Sequence, residues 1–179
     1  NYTLTVITDL DGDQDPANDT TRRDVEVYPG LYETFSGELF PPRNWRVYNF
    51  DESDPWIRHT GYSYTPPACA QIRFDTPNND WLITPKLGPI DVNDDSLAFW
   101  FRADERNYYE TLTVRLSTTS GSDTAAFSTV VGEYISYNTV AWRRLAFDLS
   151  TYRGSTVYLA FVYKDYDNFG VAIDDVMGP

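Results

Sequence analysis

The chain has 179 residues, enough for one sizeable core with a small appendage. Its 14 basic and 27 acidic side chains give a formal net charge of −13, a surface that repels nucleic-acid backbones and anionic lipid and so argues against both partners. One cysteine, Cys69, and one histidine, His59, exclude an intrachain disulfide and a thiolate or histidine zinc cluster.

Aromatic residues make up 16% of the chain, with 14 tyrosines and 5 tryptophans, a mixture that suits half-buried sheet surfaces. The chain opens inside a strand-like pattern and reads as a piece of something longer. In residues 1–29, "YTLTVITDL" and "DVEVY" predict two strands around the turn-rich "DGDQDPAND". An isolated hairpin is marginal in water, so this segment is expected to pack elsewhere, as the tail of a preceding domain or against a neighbouring subunit. Asp9, Asp11, Asp13 and Asp15 alternate there, but neither Gln14 nor Pro16 supplies the glycine that an EF-hand loop needs at its sixth position. A solvated turn is the expected state.

Residues 30–179 carry period-two patterns. "SLAFWFRA" sets Leu97, Phe99 and Phe101 on one face, "TLTVRLSTT" sets Leu112, Val114 and Leu116, and "RRLAFDLS" sets Leu145, Phe147 and Leu149. "TVYLAFVYK" is apolar on both faces and predicts a strand covered on each side. No 3.6-residue stripe competes, and the expected fold is all-β, a two-sheet antiparallel jelly-roll β-sandwich with an N-terminal hairpin extension.

Catalytic motifs are scarce. "GYSYT" is no nucleophile elbow, no glycine-rich phosphate loop is present, and the Cys69–His59 pairing has no supporting motif. No enzyme activity is expected. The closing "GVAIDDVMG" poses a sharper problem, because strand alternation turns at least one of Asp174 and Asp175 inward. A buried carboxylate has to be neutral, paired or bound to a cation, and a hard, oxygen-loving ion such as calcium suits this composition.

"YETFSGELFPPRNWRVYNFDESDPW", "NNDWLITPKL", "SLAFWFRA", "WRRLAFDLSTYRGSTVYLAFVY" and "DNFGVAIDDV" together resemble the cleaved-adhesin or choice-of-anchor J domains, over about residues 31–179. The resemblance implies a calcium-stabilised, extracellular jelly roll of a bacterial surface or secreted protein. It implies calcium ligands at Glu33, Asp51, Asp174 and Asp175. Partners would be a host or surface protein, a glycan, or neighbouring subunits of a filament; a carbohydrate-binding accessory role for a secreted hydrolase is the other alternative. Trp45, Trp81, Trp100 and Trp142 fall within the structural motifs of that family. Trp56 and the tyrosine-rich loops, with Tyr62, Tyr64, Tyr108 and Tyr109, are the expected exposed ligand contacts.

Overall fold

The computed structural model describes residues 30–51, 54–74, 77–137, 139–164 and 168–179, together with the backbone of two strands that precede them. In chain order the strands are β1 (Tyr2–Ile7), β2 (Thr20–Val25), β3 (Leu31–Glu33), β4 (Arg46–Asn49), β5 (Ile57–His59), β6 (Cys69–Arg73) and β7 (Asp80–Ile83). They continue as β8 (Ser96–Ala103), β9 (Glu110–Ser117), β10 (Thr129–Ser136), β11 (Arg143–Asp148), β12 (Tyr158–Tyr163) and β13 (Gly170–Gly178). The described helical residues lie in two single 3-10 turns, Thr124–Ala126 and Ser150–Tyr152.

β1 and β2 pair antiparallel in a two-stranded sheet. The second strand begins at Thr20, earlier than "DVEVY" suggested. The aspartate-rich turn, residues 26–29 and the side chains of Leu4 and Val6 lie outside the described residues. The remaining strands form two antiparallel sheets, one ordered β10-β9-β12-β7-β4 and the other β11-β8-β13-β6-β5, with β3 also pairing with β13. This is the two-sheet jelly roll expected from the strand pattern.

Each strand meets its expected burial for a local reason. Leu97, Phe99 and Phe101 of β8 and Leu112, Val114 and Leu116 of β9 turn toward each other from opposite sheets and are buried. Phe161 of β12 joins them, edge-on to Phe99 with ring centroids 4.9 Å apart. β12 is apolar on both faces because Ala160 and Val162 point away from this core into a second cluster with Ile83 and Phe127. β11 ends its sheet, so Leu145 and Phe147 are only half-buried while Leu149 is fully covered. No helix among the described residues is long and apolar enough to cross a membrane.

β13 runs through the middle of its sheet and changes partner part-way. Gly170–Ile173 pair with β6 and Val176–Gly178 pair with β3. Between them lie Asp174 and Asp175, at a register shift against β8 and with Asp175 at φ 45°. The bulge inserts an extra residue and bends the strand. It also suspends simple alternation, so both aspartates are buried.

Candidate functional site

The gap that β13 leaves in its ladder is filled by the turn after β5. Asp174 Oδ2 accepts the backbone N–H groups of Tyr64 at 2.8 Å and Thr65 at 2.9 Å, and Oδ1 accepts that of Asp175 at 2.8 Å. A carboxylate thus stands in for a strand edge and fastens the Tyr64 turn to the sheet. Burial still pushes its pKa up, to about 6, against the lowering effect of those three donors. Asp175 Oδ2 accepts from the Thr65 hydroxyl at 2.8 Å, while its buried Oδ1 meets no donor among the described residues. Glu33 stands opposite Val176 on β3; its Oε1 accepts the Phe35 N–H at 2.7 Å, and burial holds its pKa above the usual carboxylate range.

Asp51 belongs elsewhere. It follows β4 in the other sheet, where it accepts the backbone N–H of Asn79 and interacts with Asp80 at the start of β7. Asp80 is fully buried, its Oδ1 meets no donor among the described residues, and burial, with the Asp51 charge adding to it, raises its pKa to about 7. Of the four expected ligands, Glu33, Asp174 and Asp175 are thus brought to one sheet, and Asp51 follows a strand of the other. The acids are divided between the sheets, Asp174 is already answered by backbone donors, and no group of three or more His, Cys, Asp or Glu side chains suited to a metal exists among the described residues.

The outer face of the β11-β8-β13-β6-β5 sheet carries an aromatic and polar layer. Because Phe99 and Phe101 point into the core, Trp100 and Arg102 point out, and the cross-strand partners of Trp100, which are Asp174 and Arg144, share that face. The turn after β5 folds over it. Tyr64 lies on Trp100 with ring centroids 3.7 Å apart and planes 16° from parallel, and Trp142 stands edge-on to both Tyr64 and Tyr62. Tyr64 stays 42% exposed, leaving a ring face open to solvent.

Beneath Tyr62 the layer is wired together. Its hydroxyl donates to Asp104, Gln71 Nε2 donates to the Tyr62 oxygen at 2.7 Å and to Asp104, and the Arg102 guanidinium sits 3.8 Å from the ring centroid. Burial and the Asp104 charge drive the Tyr62 phenol far above its ordinary pKa, and burial raises Asp104 as well. These contacts tie Tyr62, Gln71, Arg102 and Asp104 into one network beneath the stacked rings.

A second aromatic cluster lies among the loops that follow β6, β8, β10 and β12. Tyr109, 59% exposed, stacks on Tyr137 at 4.2 Å, while Tyr108 and Phe74 approach Phe169 at 5.3 and 5.8 Å. Tyr62 and Tyr64 therefore occupy the sheet face, and Tyr108 and Tyr109 the loop cluster. Trp56 occupies neither. At 2% exposure it belongs to the core, the opposite of the surface contact expected of it. Trp100 and Trp142, assigned to structural motifs, turn out to build the platform; for Trp100, alternation with the apolar Phe99 and Phe101 was the signal that could have shown it.

Cys69 and His59 do stand opposite each other across β5 and β6. No nucleophile results. Burial, helped by the charges of Asp174 and Asp104, pushes the thiol up to about 12, and its sulfur donates to the Tyr62 carbonyl at 3.3 Å.

No protein-family model and no curated protein matches the sequence. Solved structures do. The K1 cleaved adhesin domain of Lys-gingipain from Porphyromonas gingivalis matches at TM-score 0.69 and 22% identity, over 82% of this chain and 95% of that one. The K2 domain of Lys-gingipain matches at 0.68 and 14%, over 84% and 98%. The module TmCBM61, solved with beta-1,4-galactotriose, matches at 0.58 and 12%, over 81% and 92%. The two sheets thus have the fold of the cleaved adhesin domains, a fold shared with carbohydrate-binding modules.

Proposed function

We propose that this chain is a non-catalytic binding module of a bacterial surface or secreted protein, and that carbohydrate docks on the Tyr64 face. The observation that carries the reading is Tyr64 itself, a ring backed flat by Trp100, braced by Trp142 and open on its outer side. A pre-formed aromatic plate with polar neighbours supplies apolar area at little entropic cost, which is what a stacking sugar ring requires. Support comes also from a structural neighbour that holds beta-1,4-galactotriose.

A glycan array probed with the labelled protein tests it. Retention of one or more oligosaccharides that is lost in Tyr64→Ala and kept in Tyr109→Ala would support the face as the site. An array with no retained saccharide, or retention indifferent to Tyr64→Ala, would overturn it.

Calcium is proposed as a stabilising ion. Two buried carboxylate oxygens without donors, Asp175 Oδ1 and Asp80 Oδ1, are the groups that fit a hard cation. Glu33 would assist at the first and Asp51 at the second, with calcium neutralising charge at each. Free calcium at about 100 times the dissociation constant would add ~2.7 kcal/mol. The melting temperature should therefore rise on adding calcium to chelator-treated protein, and Asp175→Asn or Asp80→Asn should each reduce the rise. Identical melting in calcium and in chelator would remove the ion from the account.

A further inference from the structure

Provided that the Tyr64 face binds sugar, as proposed above, the charges upon it narrow the class of sugar. Its two inner acids are engaged: Asp174 by three backbone N–H groups, and Asp104 by Tyr62 and Gln71. Arg102 is turned inward over Tyr62, with Nε donating to the Val140 carbonyl at 2.8 Å. Arg144 differs. It lies in register with Trp100 on the neighbouring strand, follows Trp142 by two residues on the same face, is exposed, and its side chain makes no hydrogen bond or ion pair with the described residues.

The platform therefore presents a free guanidinium beside its stacking ring, on a protein whose net charge is −13. Range decides which of the two a ligand feels. At physiological salt the Debye length is about 8 Å, so distant acids are screened while a group in contact is not. Asp148 shares the face, but four residues along a strand at ~3.3 Å each place it roughly 13 Å away, and Ser150 N–H and hydroxyl already cap it. A guanidinium matches a carboxylate through two parallel hydrogen bonds.

The geometry points to an acidic glycan as the ligand, with the pyranose ring of a uronic acid on Tyr64 and its carboxylate paired with Arg144.

Calorimetric titration with tetragalacturonic acid and with the same tetramer after its carboxyls are reduced to alcohols tests this. The acidic tetramer is expected to bind about tenfold tighter at low salt, the scale of one charge-assisted hydrogen bond. That preference should shrink as salt is raised and fall to about one in Arg144→Ala, with partial recovery in Arg144→Lys. Tyr64→Ala should weaken both tetramers. Equal affinity for the two tetramers, or a preference that survives Arg144→Ala, would overturn the acidic assignment while leaving the platform standing. A protein that retains no saccharide on the array and binds neither tetramer would overturn both.

Discussion

Trp56 sits among the core side chains with its indole N–H facing no acceptor in the described structure. Its removal is therefore a packing problem. Trp56→Ala should cost about 3–5 kcal/mol, the range for emptying a large aromatic from a core. Trp56→Phe should cost less, since it leaves a smaller cavity and removes the unanswered donor. Tyr64→Ala, at an exposed ring, should change stability far less than it changes sugar binding. Urea denaturation of the three variants compares them; a Trp56→Ala protein within ~1 kcal/mol of wild type would contradict the buried assignment.

At the scale of the strand, β13 depends on a side chain to complete its ladder. Asp174→Ala leaves three N–H groups, those of Tyr64, Thr65 and the buried Asp175, without their acceptor. The expected loss is on the order of 3 kcal/mol or more, and the Tyr64 turn should loosen from Trp100, visible as a weakened near-UV aromatic signal. Loss of stability with an unchanged aromatic signal would show that the turn is held by something else. Gly170, where β13 begins, is fixed by the backbone: at φ 129° an added Cβ would fall 2.4 Å from the Ile72 carbonyl oxygen. β8, β9 and β12 were legible in the sequence because a buried face imposes strict alternation, and the apolar flanks of β12 named it as an interior strand. The bulge at Asp174 and Asp175 was not. It breaks the alternation from which inward pointing was inferred, and its positive φ falls on an aspartate rather than a glycine. The Tyr64 platform was half legible: loop composition marked Tyr62 and Tyr64, but Trp100 and Trp142 join them only once the turn after β5 folds back over the sheet. Asp80 was not singled out, because its partner Asp51 reaches it only through the pairing of β4 with β7.

For the whole molecule, the buried acids set how stability responds to pH. Glu33, Asp80, Asp104 and Asp174 all have pKa values raised chiefly by burial, Asp80 to about 7 and Asp174 to about 6 from 3.8. Asp148, held low by Ser150 at the surface, works the other way but is fully exposed to screening. A carboxyl whose pKa is raised on folding binds its proton more tightly in the folded chain. Between about pH 4 and pH 7 the folded state therefore carries more protons than the unfolded one, and stability falls as pH rises through that window. Self-repulsion at a net charge of −13 acts in the same direction. In chelator, the melting temperature should be higher at pH 5 than at pH 8. Asp80→Asn should flatten the upper part of that slope, near pH 7, while Asp174→Ala should cost more at pH 5 than at pH 8. Calcium, if it takes the place of the proton at Asp80, should raise melting more at pH 8 than at pH 5. A melting temperature that climbs steadily from pH 5 to pH 8 in chelator would mean that these carboxylates are stabilised as anions in the fold, contrary to their burial.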